Sequence, residues 1–384
     1  MTTTMRFRRP VVGLLSLAAA VVLASCAGAV PTPAPAQVPM PSGDATTPTR
    51  RTAAQPVPLV STTWPTRTRE HVDLWLHTYA MLAPDTTLVP YFRRGYRDRM
   101  LALRKQRTLL DDTRDRLNAR IAVEPSLATA GQFLPLYFPS WAQMRQTIDE
   151  FIRRGGVASA SGDPNAPMYF AVLGASFQTG ADREWLRQFV EAADDESRKF
   201  YHEYWTAQER EHAHVVLHTD SLWQQQWRPA LQRFLNNTQQ QNGELYLSLP
   251  LGGEGRTVHY GKADNAVAGP MPESIGESES VLFVMAHEVT GAMASAAIAD
   301  NTSPADQREG LTARYEQAAA VRAGALLIEK TIPTALPGYM RFYLLQAGRA
   351  SPTDPRAAFA TAFPLPQAML TAISRQLDVI LGGI

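Results

Sequence analysis

The sequence predicts an α+β fold, mainly α-helical, with one small antiparallel sheet. Three observations carry that expectation. From Thr68 onward apolar residues recur at three- and four-residue spacing. Between Leu245 and Ala268 the period changes to two, with Leu245, Leu247 and Leu249 alternating with Tyr246 and Ser248. From Glu277 to the C-terminus helical spacing returns, broken only at Gly- and Pro-bearing positions.

Val72, Trp75, Leu76 and Tyr79 share one face of a first helix. Arg93 to Ala122 reads as one long charged helix. Its start is basic, with Arg93, Arg94, Arg97, Arg99, Arg104, Lys105 and Arg107 against Asp98, a pattern that suits an anionic lipid surface. Asp111, Asp112 and Asp115 soon balance it, so a solvated helix face is the expectation. A helix from Ser140 to Arg154 stops at Gly155-Gly156, and the Gly/Ser/Pro/Asn-rich loop up to Pro167 places a subdomain boundary there, dividing 66–180 from 181–384. Asp182 is the expected cap of the next helix, which carries Trp185, Leu186, Phe189 and Val190 and leads to Phe200, Tyr201, Tyr204 and Trp205. Another helix follows around Trp223 to Leu235. After Leu245 to Leu249 and the Gly252-Gly253 turn, Arg256 to Tyr260 and Asn265 to Ala268 are further strands. Helices are then expected at Glu277 to Ala299, Ser303 to Lys330, Tyr339 to Ala347 and Pro366 to Leu381. Ser303 before Pro304, with Asp306 in the first turn, forms a helix start.

The N-terminus carries its own signal. Arg6, Arg8 and Arg9 precede an apolar stretch from Val11 to Leu23, too short for a comfortable permanent span. It ends in Leu23-Ala24-Ser25-Cys26, which resembles the lipobox of bacterial lipoprotein precursors. The resemblance implies that residues 1–25 are a signal peptide and that Cys26, the only cysteine, carries covalent lipid. Several acyl chains would then hold the protein on a membrane where one binds only reversibly. Residues 26–65 are Pro-, Ala- and Thr-rich, a stiff tether reaching up to roughly 100 Å at ~3 Å per residue. Ala27, where the enterobacterial sorting pattern has Asp for inner-membrane retention, favours the outer membrane of the cell envelope. With Cys26 spent on lipid no disulfide is available, so a core must hold the fold. A formal charge of +1 gives no reason to expect a nucleic-acid partner.

The stretch Val281-Leu282-Phe283-Val284-Met285-Ala286-His287-Glu288-Val289-Thr290-Gly291 is apolar nearly all round, which predicts a buried helix with one His and one Glu at its centre. Buried polar groups need partners. A small sheet, a buried His-Glu helix and an Ala-rich helix with an inward Glu together resemble the zincin metallopeptidases of the gluzincin type, whose helix reads His-Glu-x-x-His. The resemblance implies His287 as a zinc ligand, Glu288 as the catalytic general base and Glu316 as a further metal ligand. The second histidine of the motif is Gly291 here, so the standard three-ligand zinc site does not form from this motif. His259 and Asp300-Asn301 have no spacing that makes either a substitute. The alternative is a buried structural pair, with Gly291, Ala292 and Ser295 admitting the Ala-rich helix and Arg322 as a candidate partner for Glu288.

Other candidates read as ordinary surface. His202-Glu203 has Thr206 where a second His would stand. His212, His214 and His218 would share a face of a strand, a conceivable zinc or copper site, but Glu209, Arg210 and Glu211 beside them favour a solvated stretch. Gly-x-Ser-x-Gly is absent, and Gly252-Gly253-Glu254-Gly255 does not open a helix, so neither a hydrolase elbow nor a phosphate loop is supported. The expected function is a tethered envelope lipoprotein whose degenerate, non-catalytic metallopeptidase-like domain acts in binding or assembly at the envelope, with an envelope protein or peptide as partner. The rival expectation is an active zinc hydrolase with an atypical ligand set.

Overall fold

Alternation in the sheet decides the architecture. Leu245, Leu247, Leu249 and Val267 face one hydrophobic core, while Tyr246, Val258, Ala266 and Ala268 face another, and all are buried. A sheet apolar on both faces needs a helical layer on each. The computed structural model describes residues 63–82, 92–157, 163–260, 264–349 and 353–382. Cys26, the leader and the tether up to residue 62 lie outside the described residues.

The sheet comprises β1 (Thr66–Arg67), β2 (Asn242–Ser248), β3 (Arg256–Tyr260) and β4 (Asp264–Pro270) in the order β1-β2-β4-β3. It is mixed, not antiparallel as expected: β2 runs parallel to both β1 and β4, and only β3 and β4 are antiparallel. The Gly252-Gly253 segment does not close a β2–β3 hairpin. Arg93 N donates to Pro250 O at 2.9 Å and Phe92 bridges to Leu251, which carries the chain past β4. β3 therefore joins at the edge, and β4 returns between β2 and β3.

The first layer holds α1 (Glu70–Leu82), α2 (Tyr96–Leu103), α3 (Leu109–Val123), the short α4 (Ser126–Thr129), α5 (Trp141–Arg153), α6 (Ala166–Ser176) and α7 (Gly180–Glu196). The second holds α8 (His202–Leu222), α9 (Arg228–Asn237), α10 (Ser278–Asn301), α11 (Pro304–Arg308), α12 (Thr312–Thr331), α13 (Leu336–Gln346), α14 (Pro355–Ala362) and α15 (Gln367–Gly382). The two cores change over between Ala192 and Ala193 inside α7, and Trp64 and Leu74 join the second core from the N-terminal side. The expected division at residue 180 thus does not separate the cores, and Thr62–Ile384 forms one compact unit. Trp64 is completely buried and belongs to that unit, not to the tether.

Several helix boundaries differ from expectation for identifiable reasons. The long charged helix is two, because Thr108 opens a capping box with Asp111 and starts α3 afresh. Asp182 is not the cap of α7: Thr179 is, with Asp182 as its reciprocal partner. The Ser303 helix stops at Gly310, whose φ of 71° suits glycine, and α12 begins anew. α7, α8 and α9 run on through π turns at Ser197–Tyr201 and Trp223–Trp227. His212, His214 and His218 lie on α8, so the shared strand face expected for them does not exist. α10 is long and apolar enough to cross a membrane, but its apolar window is 61% buried inside the fold, the setting of a core helix.

Candidate functional site

α10 crosses one face of the sheet and packs along α12, so residues in its middle meet β3, the loop before it and α13. Close approach depends on glycine at two positions. A Cβ at Gly324 of α12 would collide with Tyr339 Oη and come within 3.2 Å of His287 Cα. A Cβ at Gly255 would overlap the Ala268 carbonyl and lie 3.3 Å from Glu288 Cγ.

Within this space His287 Nδ1 lies 3.2 Å from Glu288 Oε1, with the two side chains 12% and 11% exposed. The contact is an ion-pair approach out of line for a hydrogen bond, so Nδ1 has no aligned partner. Glu288 Oε2 accepts from Thr257 Oγ1 at 3.1 Å. The imidazole packs against Tyr343, centroids 5.5 Å apart. A third ionisable group joins them. Glu254, from the Gly-rich segment, is half-buried and close enough to feel both His287 and Glu288. Burial pushes the Glu254 carboxyl up and the charge of Glu288 adds to this, against His287 and Arg256. Burial also raises Glu288, but His287, Arg256 and Thr257 together bring it below its ordinary value. The two carboxyls are therefore pushed in opposite directions, Glu254 up and Glu288 down.

The donor set does not fit zinc. Gly291 supplies no ligand, and a Cβ there would meet nothing within 4 Å. Gly324 is the residue of α12 that faces His287; Glu316 lies eight residues earlier, about 12 Å along the helix at ~1.5 Å per residue. The structure therefore does not bring Glu316 to His287 and Glu288. Among the described residues no group of three His, Cys, Asp or Glu side chains converges as a metal site. His259 Nδ1 is bound to Asn265 Oδ1. Arg322 is not the partner of Glu288: its guanidinium lies 5.7 Å from the centroid of Phe359. His202 pairs with Glu70 at 2.8 Å on an exposed helix, consistent with a surface role.

Sequence reasoning also missed a second buried polar cluster at the π turn after α7. His77 on α1 is fully buried, with Nε2 3.2 Å from Glu196 Oε1 and Nδ1 3.0 Å from Tyr96 Oη. That network fits a neutral ring donating from Nε2 and accepting at Nδ1. Burial lowers His77, although Glu196 opposes it. Arg104 Nη1 donates to Glu196 Oε2 at 2.6 Å and to Thr108 Oγ1 at 2.8 Å, and its other amino group pairs with Asp111. His77 stacks on Tyr201 at 4.2 Å. Asp73, one turn before His77, accepts from Trp205 Nε1 at 3.0 Å. The available signal was His71, Asp73 and His77 within a helix whose remaining residues, Glu70 and Thr78 aside, are apolar.

No protein-family model, no characterised protein and no solved structure matches this chain. The zincin resemblance therefore rests on the order of the elements and on His287-Glu288 alone.

Proposed function

We propose that the chain is a lipid-anchored cell-envelope protein, at the outer membrane by its Ala27, whose degenerate metallopeptidase-like unit binds a protein or peptide without metal-dependent hydrolysis. One observation carries the non-hydrolytic reading: glycine occupies position 291, where the motif's second histidine would stand, and His287 is left with Glu288 at 3.2 Å as its charged neighbour. Binding has separate support. β3 ends the sheet, so among the described residues its outer edge has no strand partner, and it runs beside Glu288 through Thr257. An extended segment adds to such an edge through main-chain hydrogen bonds.

Metal content tests the reading. The compact unit 62–384, purified in the presence of zinc and dialysed, is expected to hold well below one equivalent by elemental analysis, with His287→Ala no different. Stoichiometric zinc that disappears in His287→Ala would overturn the proposal in favour of an active metallohydrolase. The anchor is tested separately. Cys26→Ser in the full chain should abolish labelling by a radioactive fatty acid, because no other thiol exists to take the lipid. Persistent labelling would remove the lipoprotein reading.

A further inference from the structure

A polar cavity of about 250 Å³ opens between α2 and α8 at the carboxyl ends of β2 and β4. Leu249, the residue after β2, and Glu273, three residues after β4, help to line it. The carboxyl ends of parallel strands are where open sheets form ligand crevices.

The charges in this cavity fall into two kinds. Arg93 is engaged at both amino groups: Nη1 pairs with Glu273 Oε1 at 2.5 Å and Nη2 donates to the Met271 carbonyl, while its buried Nε has no partner. Arg99 and Glu211 are different. Both line the cavity and both are exposed, yet they do not pair with each other, and among the described residues neither has an ion-pair partner. Glu211 accepts only a neutral hydrogen bond, from Gln208 Nε2 at 2.8 Å. Tyr204 lines the same cavity and lies near enough to feel Arg99, Arg93 and Glu211. On the next α8 position His212 Nδ1 lies 3.0 Å from Gln208 O; donation there leaves the lone pair on Nε2 as an acceptor. Opposite charges held apart across a small cavity complement a ligand that carries both. The volume is below the ~300–1,000 Å³ typical of drug-sized ligands, which favours a smaller one.

We propose that this cavity binds a small zwitterion, a free α-amino acid, with its carboxylate on Arg99 and its ammonium on Glu211.

Isothermal titration of the unit 62–384, which has its own buried cores, tests this with glycine, L-alanine and L-serine as ligands and acetate and methylammonium as single-charge controls. At least one amino acid should bind, and at least tenfold more tightly than either control. Arg99→Gln and Glu211→Gln should each weaken it tenfold or more. Both side chains are exposed, so melting of the unliganded variants should match the wild type, separating lost binding from lost fold. The proposal falls if none of the three amino acids binds, if acetate binds as tightly as the best of them, or if the two variants bind like the wild type.

Discussion

Glu196→Ala is expected to cost the fold about 3–5 kcal/mol, the range for removing one member of a buried ion pair. Glu196 is fully buried, and the Arg104 side chain that donates to it is 3% exposed. Alanine would strand that guanidinium with only Asp111 and Thr108 as partners, and would leave His77 Nε2 without its acceptor. The measurement is the urea midpoint of the wild type and Glu196→Ala, with Arg104→Met and the double variant completing a cycle. The double variant should be more stable than Glu196→Ala alone, because it removes the stranded charge. A loss below 1 kcal/mol in Glu196→Ala would show that the network contributes little. The pH dependence has a definite sign. Burial raises the Glu196 carboxyl, but His77, Thr108 and Arg104 outweigh it and hold the carboxyl below its ordinary value. Its contribution is thus present above the unfolded value near 4.5 and is lost as pH falls through the folded one.

How much of this was legible depends on whether the signal is local. β3 was readable to the residue and α10 nearly so, because alternation and an unbroken apolar run are properties of one short window. His287-Glu288 was legible for the same reason: two adjacent ionisable groups in an apolar helix are conspicuous. Glu254 was not, since only the path of the chain from β2 past β4 delivers it to Glu288. The His77, Arg104 and Glu196 cluster joins three separate parts of the chain, and no window contains more than one member. The break between α2 and α3 is written in Thr108-Leu109-Leu110-Asp111, but helix-compatible charges on both sides mask that capping box. The parallel pairing of β2 with β4 was hidden because strand order is set by the contacts of the Gly252-Gly253 segment with Phe92 and Arg93, well upstream.

Asp73→Asn is expected to remove a pH-dependent loss of stability centred between pH 4 and 7. Burial pushes the Asp73 carboxyl from 3.8 up to about 7, against the donors of Ser248, Trp205 and Leu249 and the more distant Arg93. The charge of Arg93 is largely taken by Glu273 at 2.5 Å, which leaves the Asp73 carboxylate poorly compensated. A carboxyl raised in the folded state binds its proton more tightly there than in the unfolded chain. Its favourable contribution is therefore complete below pH 3.8 and is lost as pH rises toward 7. Three units correspond to roughly 4 kcal/mol at ~1.4 kcal/mol per unit. Asparagine carries no proton to lose, and its carbonyl can still accept from Trp205 Nε1 and the Leu249 amide, which lie 3.0 and 3.4 Å from Oδ2 in the wild type. Other buried acids such as Glu196 and Glu288 give the opposite slope, so the informative quantity is the difference between wild type and Asp73→Asn at each pH. That difference, from urea midpoints at pH 4, 5.5 and 8, should move in favour of Asp73→Asn by several kcal/mol across the series. A difference that stays constant would mean that Asp73 is already ionised at pH 4 in the folded protein, stabilised by its donors.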